Sequence, residues 1–151
     1  MADKSYTGTE NLETMELAVN YNNYIVSQIK KHAKNRPKLL DFGAGTGSFA
    51  KLLVKSGYKI DCVEPDEDLK RRLAKDKFSV YSSAQDLPKD SQEFIYALNV
   101  FEHIKDDVQV LKQLNKAMKP GGVIFIYLPA FSLLFSSMDK LVGHYRRYTL
   151  P

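Results

Sequence analysis

The run Leu39-Leu40-Asp41-Phe42-Gly43-Ala44-Gly45-Thr46-Gly47 constrains this chain more than any other stretch. An apolar segment ends at an acidic residue and opens into three alternating glycines. Helix-compatible Ser48-Phe49-Ala50-Lys51-Leu52-Leu53 follows. That order predicts buried strand, tight loop and helix, the first half of a βαβ unit. Alternating glycines allow a sharp turn and leave no Cβ between backbone and a ligand. From these residues alone, a ligand loop and a merely tight βα turn both stand. A dinucleotide fingerprint needs glycine where Ser48 stands, and a mononucleotide P-loop needs a lysine that does not follow Gly47.

A second strand is expected over 59–64, Lys59-Ile60-Asp61-Cys62-Val63-Glu64, stopped by Pro65. A carboxylate about 20 residues beyond the first glycine of such a unit reaches the hydroxyls of a ribose. Glu64 is the candidate, with a solvated strand-end acid as the alternative, and Asp61 points to the other side of the pleat. The remaining pattern alternates strands and helices. A short strand is expected over 78–81, a fourth over 93–98, and a helix capped by Asp106 or Asp107. Pro120-Gly121-Gly122 is expected to break that helix before a fifth, near-continuously apolar strand, 123–128. Ahead of the first strand, apolar residues between Leu12 and His32 recur at helical spacing, with an irregular stretch at 20–23, giving one or two helices.

The expected fold is therefore α/β, a doubly wound, Rossmann-like, mostly parallel sheet with helices on both faces. Ligands of such sheets bind beyond the carboxyl ends of the strands, where the glycine loop, Glu64, Ser83 and Asn99 all fall. A chain of 151 residues with 44% hydrophobic content suits one domain with a real core. Two parts are expected, a helical segment over 1–34 and a ligand-binding domain over 35–151. No strand-like run follows the fifth strand, so the C-terminal part of the fold is expected to be missing. A further segment or another subunit, as in a homo-oligomer, is expected to cover that apolar edge.

Net charge is +4 with the positives spread along the chain, which disfavours a nucleic-acid surface. No apolar run reaches the roughly 20 residues of a membrane span. The lone Cys62 rules out an internal disulfide, and a cytoplasmic location is expected. His32, His103 and His144 lack metal-ligand spacing and lie on separate elements, so no metal is expected.

Taken together, the stretch 39–47, Glu64, Ser82-Ser83-Ala84-Gln85-Asp86-Leu87-Pro88, Asn99-Val100-Phe101-Glu102-His103-Ile104 and Lys119-Pro120-Gly121-Gly122 resemble a class I S-adenosylmethionine-dependent methyltransferase of the ubiquinone-biosynthesis-like, small-molecule type. The resemblance implies methyl transfer from S-adenosylmethionine to a small-molecule or lipid-like acceptor. A non-catalytic cofactor-binding module or partner subunit is the alternative, and an NAD-dependent oxidoreductase is disfavoured by Ser48. It further implies that Asp41 holds the methionine ammonium, directly or through water, while Gly43, Ala44, Gly45 and Gly47 shape the loop around the carboxypropyl chain. Glu64 then takes the ribose hydroxyls and Asn99 lies against the methionine part. Relatives often carry aspartate where Ser83 stands, so the adenine falls to Ser83 together with Ala84 and Gln85.

The helical segment is expected over the pocket, with Tyr21 on the acceptor side and Tyr24 packing the segment onto the domain. His103 is the candidate general base, with packing or orientation as its other reading. His144, Tyr145, Arg146 and Arg147 resemble a segment near the acceptor. The two arginines suit an anionic group, or else anchor a lid or helix start.

Overall fold

The computed structural model of the protein describes residues 18–149. The expectations for residues 12–17 lie outside them. Five strands form one parallel sheet: β1 (Lys38–Phe42), β2 (Lys59–Val63), β3 (Ser79–Tyr81), β4 (Gln92–Leu98) and β5 (Met118–Tyr127). Their order is β3-β2-β1-β4-β5, so the chain reverses direction across the sheet between β1 and β4. That reversal opens a crevice at the carboxyl ends of the strands.

Five helices accompany the sheet among the described residues: α1 (Val19–Ala33), α2 (Ser48–Lys55), α3 (Glu67–Lys75), α4 (Asp107–Ala117) and the short α5 (Ser137–Leu141). Strand periodicity divides the core between two faces. Leu39, Ile60, Cys62, Phe94 and Tyr96 pack with Ile25 and Ile29 of α1, Ala50 and Leu53 of α2 and Leu73 of α3. Leu40, Phe42, Val63, Ile95 and Ala97 pack with Leu114 and Ala117 of α4 on the other face. The doubly wound arrangement expected from the sequence is the one observed.

Several boundaries differ, each for a local reason. A single helix runs through 20–23 because Asn22 is buried with Ile25 and Ile29, so the polar stretch does not interrupt the buried stripe. Tyr24 faces solvent rather than packing the segment down. Asp106, not Asp107, caps α4, accepting from the Gln109 amide at 3.1 Å. The helix ends at Ala117, and Pro120-Gly121-Gly122 lies within β5, where the pairing to β4 shifts register between Gln92 and Phe94. Glu64 sits one residue past the end of β2. Strand β5 occupies the sheet edge and pairs with β4 alone among the described residues.

Beyond β5 the chain makes a 3-10 turn (Ser132–Leu134) and α5, then returns: Ala130 bridges Tyr148, and the Phe131 amide donates to the Tyr148 carbonyl at 2.8 Å. The returning segment is fastened to the start of α4. The Tyr148 hydroxyl donates to Asp107 Oδ2 at 2.7 Å, and Arg146 reaches the same carboxylate at 2.7 Å.

Gly47 shows why the loop needs glycine. Its φ is +76°, and a Cβ there would meet Leu73 Cδ2 at 2.6 Å. Gly57 has φ +92° with open space around it. Gly47→Ala is therefore expected to lower unfolding free energy by about 1–3 kcal/mol, more than Gly57→Ala, which carries the backbone strain without the clash. Urea denaturation of both variants checks the difference.

Candidate functional site

Asp41 is the next-to-last residue of β1 and pairs in register with Cys62 of β2 and Tyr96 of β4. It is buried between them at 4% exposure, on the face opposite Leu40 and Phe42. Burial pushes its carboxyl up to about 7; the Tyr96 hydroxyl favours the charged form and the nearby Glu64 opposes it. That hydroxyl is itself buried and faces the Asp41 carboxyl. The raised Asp41 carboxyl and the Tyr96 hydroxyl beside it form a polar pocket floor under the loop.

The chain leaves β1 through Gly43, Gly45 and Gly47, all at positive φ. The Gly43 and Ala44 amides both donate to the Val63 carbonyl, at 2.9 and 3.1 Å, which ties the loop to the end of β2. A Cβ on Gly43 would lie 2.4 Å from Val100 Cγ2, so the segment after β4 closes directly on the loop. Glu64 completes the arrangement. Its Oε2 accepts from the Gly45 amide at 2.8 Å and its Oε1 from the Asp66 amide at 3.0 Å. Burial raises the Glu64 carboxyl, against the pull of those two backbone donors. A carboxylate has about four lone-pair sites, so two donors leave acceptor capacity on both oxygens.

Ser83 caps the 3-10 turn Ala84–Asp86: its hydroxyl and amide both donate to Asp86 Oδ2, at 3.0 and 2.9 Å. The hydroxyl proton is thereby engaged, while its oxygen keeps lone pairs. Ala84 is buried and Gln85 exposed. Asn99 follows β4 in the left-handed region at φ 52°, with its amide on the Tyr127 carbonyl at 2.8 Å. Tyr21 comes to this same end of the sheet. Its ring stands edge-on to Tyr127 at 6.2 Å between centroids, and burial raises its phenol against a hydrogen bond from Asn99.

Past Asn99 the chain turns through Phe101–His103. Contrary to the expectation from their spacing, separation along the sequence does not keep His103 and His144 apart. Their rings meet edge-to-face at 4.6 Å, and with Glu102 they bring three donor atoms within 4.8 Å of one another. Glu102 is fully buried and neither carboxylate oxygen has a partner. Asp139 of α5 supports the cluster and was not legible as a site residue. It accepts from Ser136 in a capping box, takes a two-pronged contact from Arg147 at 2.7 and 2.9 Å, and lies 2.8 Å from His144 Nδ1. The Arg147 guanidinium holds the Asp139 carboxyl well below the usual range.

Of the two readings of the arginines, the described contacts match the anchor. Arg147 spends its fork on Asp139, and Arg146 spends its own on Asp107 and the Lys105 carbonyl. Both anchor the returning segment. Tyr145 is exposed, with its amide donating to the Glu102 carbonyl at 2.7 Å.

Residues 19–150 match the model of a family described as a methyltransferase domain. The chain belongs to that family. The methyltransferase domain is 31% identical over 111 residues to a ubiquinone biosynthesis O-methyltransferase of Coxiella burnetii, covering 68% of this chain and 46% of the relative. It is 26% identical over 117 residues to the thiol S-methyltransferase TMT1B of Rattus norvegicus, covering 68% and 48%. Its fold matches a SAM-dependent methyltransferase from Archaeoglobus fulgidus with a TM-score of 0.64 at 21% identity, over 86% of this chain and 62% of that one. The chain spans about half the length of these curated relatives. S-adenosylmethionine as cofactor is consistent with this family and this fold. The residues present fit it: a loop in which a Cβ on Gly43 or Gly47 would collide, a carboxylate poised over Gly45, and a polar floor at Asp41 and Tyr96.

Proposed function

We propose that this chain transfers a methyl group from S-adenosylmethionine to a small-molecule or lipid-like acceptor at the crevice between β1 and β4. The observation that carries the reading is the 2.8 Å bond from the Gly45 amide to Glu64 Oε2, which joins the glycine loop and the downstream carboxylate into one cradle. In this reading Glu64 accepts from the ribose hydroxyls, Asp41 faces the methionine ammonium, and Gly43, Ala44, Gly45 and Gly47 pass beneath the carboxypropyl chain. Ser83, Ala84 and Gln85 border the adenine. Asn99 lies against the methionine part. Tyr21, His103 and His144 stand on the acceptor side, next to the segment Gly43 contacts through Val100.

The cofactor brings its own leaving group, so the protein's work is placement and exclusion of water. The names of the relatives, an O-methyltransferase and a thiol S-methyltransferase, support a small acceptor. None of the described helices is long and apolar enough to cross a membrane, and we place the chain in the cytoplasm with Cys62 as a free, buried thiol. Among the described residues the outer edge of β5 is unpaired, which supports pairing with a further strand, such as that of a second copy.

Calorimetry with S-adenosylmethionine, S-adenosylhomocysteine and NAD tests the site: binding of the first two and not the third is expected, and NAD binding overturns the reading. Labelled methyl release against a panel of phenols, thiols and amines tests the reaction. Cofactor binding without transfer to any acceptor would favour a non-catalytic cofactor-binding module instead.

A further inference from the structure

The cluster formed by Glu102, His103, His144 and Asp139 is more ordered than placement of an acceptor requires. We infer that His144 and Asp139 form a proton-accepting pair for a hydroxyl acceptor, with His144 Nε2 as the base and Asp139 as its positioning residue; this rests on the methyl-transfer reading above. Asp139 Oδ1 lies 2.8 Å from His144 Nδ1. Arg147 keeps Asp139 ionised and therefore an acceptor only, so Nδ1 carries the ring proton and Nε2 presents its lone pair. The Asp139 side chain is 1% exposed and locked from three sides by Ser136, Arg147 and His144, which fixes the imidazole plane.

His103 has no such support. Burial and the neighbouring His144 lower its pKa, and no carboxylate orients either of its nitrogens, so it stays neutral against the His144 ring. Glu102 contributes the independent observation. It is fully buried, neither of its oxygens has a partner, and it lies in this cluster. Burial raises its carboxyl, and its own backbone amide and then the proximity of His144 oppose that rise. A proton arriving on His144 is then flanked by two carboxylates from different elements, Asp139 of α5 and Glu102 of the turn after β4. Glu102, His103, Asp139 and, through Asp139, Arg147 are the titratable and charged groups that the structure sets against His144.

A base with this construction points to the acceptor's chemistry. An amine is nucleophilic through its lone pair and sheds a proton after transfer. A phenolic hydroxyl ionises only near pH 10, so it needs proton removal at neutral pH, whereas a thiol ionises near pH 8.5. In the inferred step the acceptor oxygen forms a bond to the methyl carbon and the carbon–sulfur bond breaks with its electron pair remaining on sulfur. The O–H proton passes to His144 Nε2 and then to solvent.

Two measurements on the whole chain test the pair. In histidine-15N NMR the wild type is expected to show His144 as the Nδ1-protonated tautomer, shifting toward the other tautomer in Asp139→Asn. A persistent Nε2-protonated tautomer in the wild type overturns the inference without reference to activity. In labelled methyl transfer, His144→Gln is expected to slow transfer to catechol by about 10²–10⁴-fold and to slow transfer to thiophenol far less, the catechol loss shrinking as pH rises. If Asp139→Asn fails to fold by circular dichroism, His144→Gln and the wild-type spectrum carry the test. Equal losses toward both probes, no loss toward catechol, or a wild-type rate abolished by chelating divalent cations each overturns the proton role alone. Cofactor binding with no wild-type transfer to any member of the panel of phenols, thiols and amines overturns the methyl-transfer reading and this inference together.

Discussion

Glu64→Ala is expected to weaken S-adenosylmethionine binding by about 10- to 150-fold, from losing hydrogen bonding to a charged acceptor worth about 1.5–3 kcal/mol. The same change should destabilise the unliganded protein, because Glu64 is structural before it is a ligand. It is 6% exposed, and its two oxygens satisfy the Gly45 and Asp66 amides. Truncation orphans both donors at about 1–3 kcal/mol for each that stays buried. It also loosens Asp66, which caps α3 through the Asp68 and Leu69 amides. Glu64→Gln keeps a carbonyl oxygen for one amide and loses the charge, so it should recover part of the stability and little of the affinity. Calorimetry for binding and urea denaturation for stability separate the two effects. A Glu64→Ala protein that binds cofactor as the wild type does removes Glu64 from the site.

That double duty shows how much of the molecule was legible in the sequence. The sheet was, because buried parallel strands read as apolar runs and the turns between them carry glycine, proline and capping acids. The meeting of the glycine loop with Glu64 was too, since both sit at fixed distances within one βαβ unit. Glu64 follows the loop by one helix and one strand, and the Gly45 bond closes the register the sequence implies. What stayed hidden depends on contacts between distant segments. Tyr96 reads as one more apolar strand residue until β4 is placed beside β1, opposite Asp41. Asp139 sits in Ser136-Ser137-Met138-Asp139, whose spacing signals a capping box and nothing about a histidine five residues on. For Arg146 and Arg147 the sequence leaves anion binding and anchoring both open, because it does not show that Asp107 and Asp139 already engage them. Edges followed the same logic: β5 begins at Met118 because pairing to β4 carries it through a glycine pair that local propensity would place in a turn.

Asp41 should make the protein's stability fall as pH rises from about 4 to about 7. Its folded carboxyl titrates at about 7 against an ordinary 3.8, chiefly because it is buried. Between those values the folded state holds a proton that the unfolded state has released, so unfolding free energy declines with pH. A difference of about three pKa units corresponds to about 4 kcal/mol, fully retained below pH 4 and lost by pH 7. Glu64 and Glu102, also raised by burial, add slope of the same sign, so Asp41→Asn should flatten the profile without levelling it. The linkage runs the other way for cofactor binding. An ammonium held by Asp41 needs the carboxylate, so affinity should rise with pH by up to tenfold per unit below 7 and level off above it. Binding near pH 6 should release a proton, seen as a dependence of the calorimetric heat on buffer ionisation enthalpy. In Asp41→Asn both the pH slope and the proton release should vanish. Affinity that is flat in pH with wild-type Asp41 places the ammonium elsewhere, leaving the buried pair of Asp41 and Tyr96 as a cost to folding that some other polar group of the ligand must offset.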